Sequence, residues 1–331
     1  MDAAQLGEWS RFLVIGSLMA FVVAWLAYGA ELIARRRVPE RDVVTASVGG
    51  PDSGSAGVGA ADVGAAGLDA YGADLPGPDG AMRSPVGAAK AANIGLTVSI
   101  LATALLAFGV LTRAVAAERA PWANMHEFSI TATLVGAVVF LAVARSRAGQ
   151  AMATWLVMLF VVTLSMAVTV LYVPPGPLVP ALDSYWLVIH VGMAVTAFAL
   201  FTVSAVVSAL QIASARAERA GRPSSLPRAA SLDRLAYRLI AVAFPVWTIG
   251  PLILGAVWAE ASWGRYWGWD PKEVWALITW LAYAAYLHAR ATAGWSGVRA
   301  SVVSLIGFGT LLFSYFAVNI VFNGLHSYGG L

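Results

Sequence analysis

Four histidines and one tryptophan-rich run are the parts of this 331-residue chain best equipped for chemistry. The histidines are His126, His190, His288 and His326, and neutral imidazole is a common ligand for iron and other transition metals. The run is Trp258-Ala-Glu-Ala-Ser-Trp-Gly-Arg-Tyr-Trp-Gly-Trp-Asp-Pro-Lys-Glu, which gathers Trp258, Trp263, Tyr266, Trp267 and Trp269 into one short stretch. An interfacial aromatic belt accounts for any one of them, because Trp and Tyr settle at the headgroup level of a membrane. A belt needs only an aromatic or two per helix end, however, and here Gly264 and Gly268 interrupt the cluster, letting a backbone approach a large planar ligand. The run closes on Asp270-Pro271-Lys272-Glu273, which predicts a helix start: Asp as N-cap, Pro at the first position, Glu three residues on as in a capping box. An apolar-aromatic platform anchored in this way suits a large flat hydrophobic ligand better than an ion.

The chain contains no cysteine, so it performs no thiol-redox, disulfide or zinc-thiolate chemistry itself. What it does contain is apolar. Hydrophobic residues make up 59% and charged residues 12%, with mean hydropathy +0.74; soluble domains carry roughly 25% charged residues. That excludes an ordinary soluble enzyme and predicts an all-α, polytopic membrane protein. The net charge of +3 does not point to nucleic acid, since the basic residues stand in short runs beside apolar segments, where topology explains them.

A helix needs about 20 apolar residues to cross the hydrocarbon layer. Windows nearly free of charge predict about eight spans, at 11–31, 91–113, 127–145, 151–172, 184–213, 236–258, 272–290 and 300–322. The first is followed by Arg35-Arg36-Arg37 and reads as a retained span, not a cleaved signal. If spans alternate, the segments 34–90, 145–150, 213–235 and 290–299 share one side. With their bordering helix turns they hold 16 of the 21 Lys and Arg residues. The positive-inside rule then predicts both termini outside and the four Arg-rich segments in the cytoplasm. The sequence divides into a first transmembrane helix (1–33), a cytoplasmic flexible linker (34–90) and a seven-helix membrane domain (91–331). The linker's stretch from 43 to 89 is rich in Gly, Ala, Ser, Asp and Pro, with too little apolar surface to fold.

This topology sets His190, about two turns into the fifth span, and His326, just past the eighth, on the side of the aromatic run. Two such imidazoles are able to fill both axial positions of a haem lying on it. The competing reading makes each a polar group bonded to a neighbouring helix or water. His288 lies 18 residues after Asp270, about 27 Å along a helix. It cannot reach the same metal; it is either a ligand on the cytoplasmic side or a helix-end cap beside Arg290. His126 reads as structural.

The run from Gly255 through Trp263-Gly-Arg-Tyr-Trp-Gly-Trp-Asp-Pro-Lys-Glu to His288 closely resembles the tryptophan-rich WWD signature of System II cytochrome c biogenesis proteins. These are of the CcsA/ResC type, often labelled CcsB in actinobacteria. The resemblance extends through Trp122-Ala-Asn-Met-His-Glu-Phe128, Leu182-Asp-Ser-Tyr-Trp-Leu-Val-Ile-His190 and Val318-Asn-Ile-Val-Phe-Asn-Gly-Leu-His326, and excludes the linker. It implies a subunit of a holocytochrome c synthase working with a ResB-type partner. Such a subunit takes haem b from the cytoplasmic side, presents it outside on Tyr266, Trp263, Trp267, Trp269 and Asp270, and supports thioether attachment to the CxxCH motif of apocytochrome c. It implies further that His190 and His326 ligate the outer haem, and that His288 helps receive haem from within, its companion ligand lying on the partner. Thioredoxin-like proteins would reduce the apocytochrome thiols. His126 departs from the pattern, standing where the family has Tyr. The rival expectations are an exporter of haem or another amphipathic molecule without attachment activity, and a structural companion of a respiratory complex whose aromatics form only a belt.

Overall fold

The computed structural model describes residues 2–36, 86–176 and 184–326. Most of the segment read as a linker, and the first two residues of the stretch from Leu182 to His190, lie outside the described residues. The described chain is all α-helix with one π-helical insertion. In order the helices are α1 (Ala3–Arg36), α2 (Val86–Ala117), α3 (Met125–Val143), α4 (Arg147–Thr169), α5 (Tyr185–Arg219), α6 (Ala229–Trp247), the π segment Thr248–Leu254, α7 (Gly255–Trp263), α8 (Pro271–Thr292) and α9 (Val298–Val321).

Seven described helices are long and apolar enough to cross a membrane, with α6, the π segment and α7 running together as one span of 35 residues. The chain is a multi-pass membrane protein. The remaining predicted span corresponds to α8, which at 22 residues has the length of a span but carries Lys272, Glu273, His288 and Arg290. Large apolar side chains on the outer faces of α1 and α2, including Phe12, Val23, Phe108 and Leu111, are exposed, as helices facing lipid require.

Small residues bring α1 and α2 together. Ser10 Oγ donates to the Gly109 carbonyl at 2.7 Å, and Ser17 Oγ to the Ala102 carbonyl at 2.8 Å. Alpha-helical side chains of this size let backbones approach, the usual route to helix association in lipid. The pair packs through α4 onto α3 and α5, around Phe21, Phe140, Leu156 and Phe160. A second core lies between α5, α6, α8 and α9, where the Phe201 and Tyr283 rings stack with centroids 3.7 Å apart. α5 belongs to both cores and is the beam on which the rest is hung.

The turn from α2 into α3 is fixed by a buried charge cluster. Glu127 is inaccessible to solvent and accepts from Arg113 Nε at 2.9 Å, Arg119 Nη1 at 2.7 Å and the Ala123 amide at 2.9 Å. Arg113 also donates to the Val173 carbonyl at 2.6 Å. Removing one member of a buried ion pair leaves the other charge uncompensated, at a cost of about 3–5 kcal/mol. Glu127→Ala is therefore expected to lower the unfolding temperature sharply in detergent, as read by circular dichroism.

His126 lies in the same region, buried, with Nδ1 2.8 Å from the Ala167 carbonyl and its ring edge-on to Tyr172. It ties α3 to α4, in keeping with the structural reading of the sequence.

Candidate functional site

The site is assembled at the end of the molecule where α5 begins, α7 ends, α8 begins and α9 ends. Pro245 and Pro251 both lack the amide that a helix uses to bond the preceding turn. The chain answers with the π segment, and the widened turn brings the Gly250 carbonyl against α5, where it accepts from His190 Nδ1 at 3.1 Å. A carbonyl oxygen only accepts, so Nδ1 carries the proton and Nε2 of the neutral ring is left with its lone pair.

Beyond the π segment, Gly255 lies against the same ring. A Cβ at this position would come within 2.8 Å of His190 Cε1. The next turn presents Trp258, whose indole lies parallel to the imidazole, at 8° and 5.8 Å between centroids. Gly255→Ala is expected to displace the His190 ring at an overpacking cost of about 1–3 kcal/mol. The check is whether the variant, still inserted and folded, loses whatever ligand the wild type retains at this imidazole.

His326 reaches Trp258 from the other direction. It sits past the end of α9, its ring 5.7 Å from the Trp258 indole and 5.1 Å from that of Trp263. One carboxylate organises this approach. Asp270 caps α8, its Oδ1 accepting from the Lys272 amide at 3.0 Å, and the predicted capping box with Glu273 is complete. The same Oδ1 accepts from His326 Nδ1 at 2.8 Å, and Oδ2 from the Leu325 amide at 2.6 Å. His326 is thus held, like His190, by Nδ1, with Nε2 free. A Cβ on Gly324 would run into the Asp270 carboxylate, so this residue must be small for the segment to close.

Burial works to raise the Asp270 carboxyl, but the hydrogen bond from His326, aided by the Leu325 and Lys272 amides, outweighs it and holds the carboxyl below its ordinary range. The carboxylate therefore stays ionised and accepting throughout the physiological range.

Both imidazoles border one cavity of about 1250 Å³, counting its open mouth. Its walls are overwhelmingly apolar and aromatic, with Trp122, Phe128, Trp247 and Trp267 among them. The Nε1 atoms of Trp122 and Trp258 are buried without an acceptor among the described residues. Lys272, whose Nζ donates to the Ser314 carbonyl and Asn319 Oδ1, also lines the cavity and binds the start of α8 to α9.

Of the residues singled out in the sequence, the structure brings together His190, His326, Trp263, Tyr266, Trp267 and, through His326, Asp270. Trp269 stands apart from the cavity wall, 70% exposed and with φ +57, its ring edge-on to Trp267. The aromatic run is not one loop: Trp258 and Trp263 belong to α7, leaving only 264–270 outside helices. His288 is exposed near the far end of α8, remote from the cavity, next to Arg290, which forms a bidentate pair with Asp233. Sequence reasoning missed Trp258 as the contact shared by both imidazoles, Gly255, and Lys272. The two prolines spaced six apart were the available sign that the sixth span would be irregular.

Comparison with known proteins gives a consistent set. Residues 122–326 match the family described as cytochrome c assembly protein. A cytochrome c biogenesis protein CcsA from Synechococcus sp. (strain JA-3-3Ab) is 36% identical over 263 residues, covering 71% of this chain and 68% of that protein. The protein of the same description from Chlamydomonas reinhardtii is 44% identical over 155 residues, 46% of this chain and 43% of the relative. That from Synechococcus elongatus is 39% identical over 198 residues, 46% of this chain and 61% of the relative. The chain thus spans about half the length of these last two. Among solved structures, the cytochrome c haem lyase CcmF aligns with TM-score 0.56 at 16% identity, over 95% of this chain and 47% of CcmF, a likeness of fold.

Proposed function

Because the chain belongs to the cytochrome c assembly protein family, of the System II CcsA type, and so acts in cytochrome c maturation, we propose that its cavity holds haem b for covalent attachment to apocytochrome c. Haem is the cargo, and His190 and His326 are its axial ligands. The observation that carries this reading is the shared posture of the two imidazoles: both lie against Trp258 at the edge of one aromatic cavity, and both are pinned through Nδ1 so that Nε2 is the atom left for a metal. Fixing one ring nitrogen by an acceptor is how proteins orient a histidine for coordination.

The surroundings suit the same cargo. Indole and phenyl faces would cover a flat macrocycle, and the Nε1–H groups of Trp122 and Trp258, without an acceptor among the described residues, would donate to acceptors such as carboxylate oxygens. Tyr266 is exposed and lines the cavity, and an apocytochrome would dock beside it. Attachment then needs no nucleophile from this chain, which has no cysteine. Each apocytochrome thiol adds across a vinyl group, the sulfur bonding to one carbon and the thiol proton going to the other, with no net change of oxidation state.

By the positive-inside argument the cavity faces the exterior of a bacterial cytoplasmic membrane, and His288 faces the cytoplasm, where it would receive incoming haem together with a ResB-type partner. Thiol reduction falls to thioredoxin-like proteins. The decisive measurement is the absorption spectrum of the purified protein, with and without that partner, followed by assay of holocytochrome c. A Soret band with product formation supports the reading; haem translocation into vesicles with no attachment by the complex would make the protein an exporter instead.

A further inference from the structure

The end of the molecule opposite the cavity is dense in arginine. Where α5 ends and α6 begins, Arg216, Arg219, Arg222, Arg228, Arg234 and Arg238 are all exposed. The same stretch, 213–238, holds only two acids, Glu218 and Asp233, and both are committed to internal bonds. Glu218 Oε1 accepts from the Ala229 amide at 2.8 Å, which closes the turn between the two helices. Asp233 is buried; it accepts from both arms of the Arg290 guanidinium, at 2.8 and 3.1 Å, and from the Gly297 amide at 3.0 Å. Among the described residues none of the six exposed arginines makes an ion pair.

Two of the six are set apart by the direction they face. Arg234 and Arg238 begin a ridge that continues through Val242, Pro245, Ile249 and Ile253, spaced three or four residues apart and exposed at every position. Residues at that spacing share one face of a helix. Val242, Ile249 and Ile253 are 57%, 45% and 53% exposed, as a face turned to lipid requires. At its foot this face changes from apolar to cationic within one turn, about 6 Å of rise from Val242 to Arg238, which places both guanidinia at headgroup depth. Tyr237 beside them marks the same level, with its exposed ring fixed by the Arg290 guanidinium 4.7 Å from the centroid. Arg234 is tethered only to Ser231 Oγ, one turn back. Arg216 and Arg219 are placed differently: they close a helix of 35 residues, whose length of about 52 Å outreaches the hydrocarbon layer.

A guanidinium offers its donors as a planar fork that matches two oxygens of one phosphate. We propose that Arg234 and Arg238 bind the phosphate headgroup of an anionic phospholipid, whose acyl chains lie along Val242, Ile249 and Ile253. The other four arginines raise the local concentration of anionic lipid, and the ridge pair supplies the binding. Charge that serves only to orient the chain in the membrane has no need of two forks on the lipid-facing ridge, clear of every carboxylate on that end.

The test places the full chain in phosphatidylcholine nanodiscs doped with cardiolipin, whose headgroup carries two phosphates, and follows the cardiolipin that stays bound by native mass spectrometry. The wild type is expected to retain cardiolipin saturably. Arg234→Gln Arg238→Gln is expected to weaken retention roughly thirtyfold, the contribution of two basic residues at an anionic surface. Arg216→Gln Arg219→Gln removes the same charge away from the ridge and is expected to cost about threefold or less, because salt screens the more distant pair. Equal losses in the two double variants would reveal a diffuse potential in place of a site and overturn the proposal. Displacement of the lipid by millimolar inorganic phosphate would do the same, by assigning the guanidinia to a soluble anion. Should the glutamine pair fail to insert, Arg234→Lys Arg238→Lys keeps the charges that orient the chain and removes the forks. Its preference for cardiolipin over phosphatidylcholine is expected to fall, and an unchanged preference overturns recognition by the forks.

Discussion

Substituting alanine for His190 or His326 is expected to strip haem from the cavity and to end holocytochrome c formation while the protein remains inserted and folded. The loss should exceed the 10–100-fold that an outer-shell partner contributes, since the metal bond itself is removed. The fold is spared for a geometric reason. Each imidazole borders the cavity, and what it gives up on the protein side is one hydrogen bond, to the Gly250 carbonyl for His190 and to Asp270 for His326, and its ring contacts with Trp258 and, for His326, Trp263. Added imidazole should restore part of the Soret band in either variant, because truncation leaves a vacancy of the right shape at an otherwise intact site. Full cytochrome synthesis by His190→Ala would show that the iron is held elsewhere.

The second large effect is expected at Asp270. Its carboxylate caps α8, orients the His326 ring and holds the Leu325 amide, so Asp270→Ala removes all three bonds together. Loss of an N-cap costs about 1 kcal/mol, a modest change in stability. Loss of the His326 orientation should weaken haem retention about 10–100-fold. Asp270→Asn separates the effects, since an amide oxygen still accepts at the cap but no longer offers two anionic acceptors.

Where a property depended on local pattern, it could be read from the sequence. The apolar windows located the spans because crossing a bilayer sets length and polarity directly, and Asp270-Pro271-Lys272-Glu273 declared a helix start because capping is a matter of four adjacent residues. The density of aromatics near Trp267 marked a stretch that borders the cavity. What depended on three-dimensional convergence was not legible. The bond from Asp270 to His326 joins residues 56 apart and could not be foreseen from a carboxylate already accounted for as a cap. Trp258 looked like one belt residue among five, and only the close approach allowed by Gly255 makes it the contact of both imidazoles. Trp269, equally prominent in the sequence, turns away from the cavity because position 269 adopts a left-handed backbone on the way into the cap. The charge in the first turn and near the end of α8 lowers its apolarity, which is why this helix is less obvious as a span than its neighbours.

The π segment carries a consequence for helical phase. A stretch of i to i+5 bonding accommodates one residue more than an α-helical path of the same length, and each residue turns a helix by about 100°. All side chains from Gly255 onward are therefore rotated by about that angle from where an uninterrupted α6 would aim them. Unwound to ordinary pitch, the span would still cross the bilayer and still be apolar, yet its indoles would face lipid or a neighbouring helix in place of His190. Azimuth, set by one surplus residue in the π segment, is what separates a membrane anchor from a wall of the cavity.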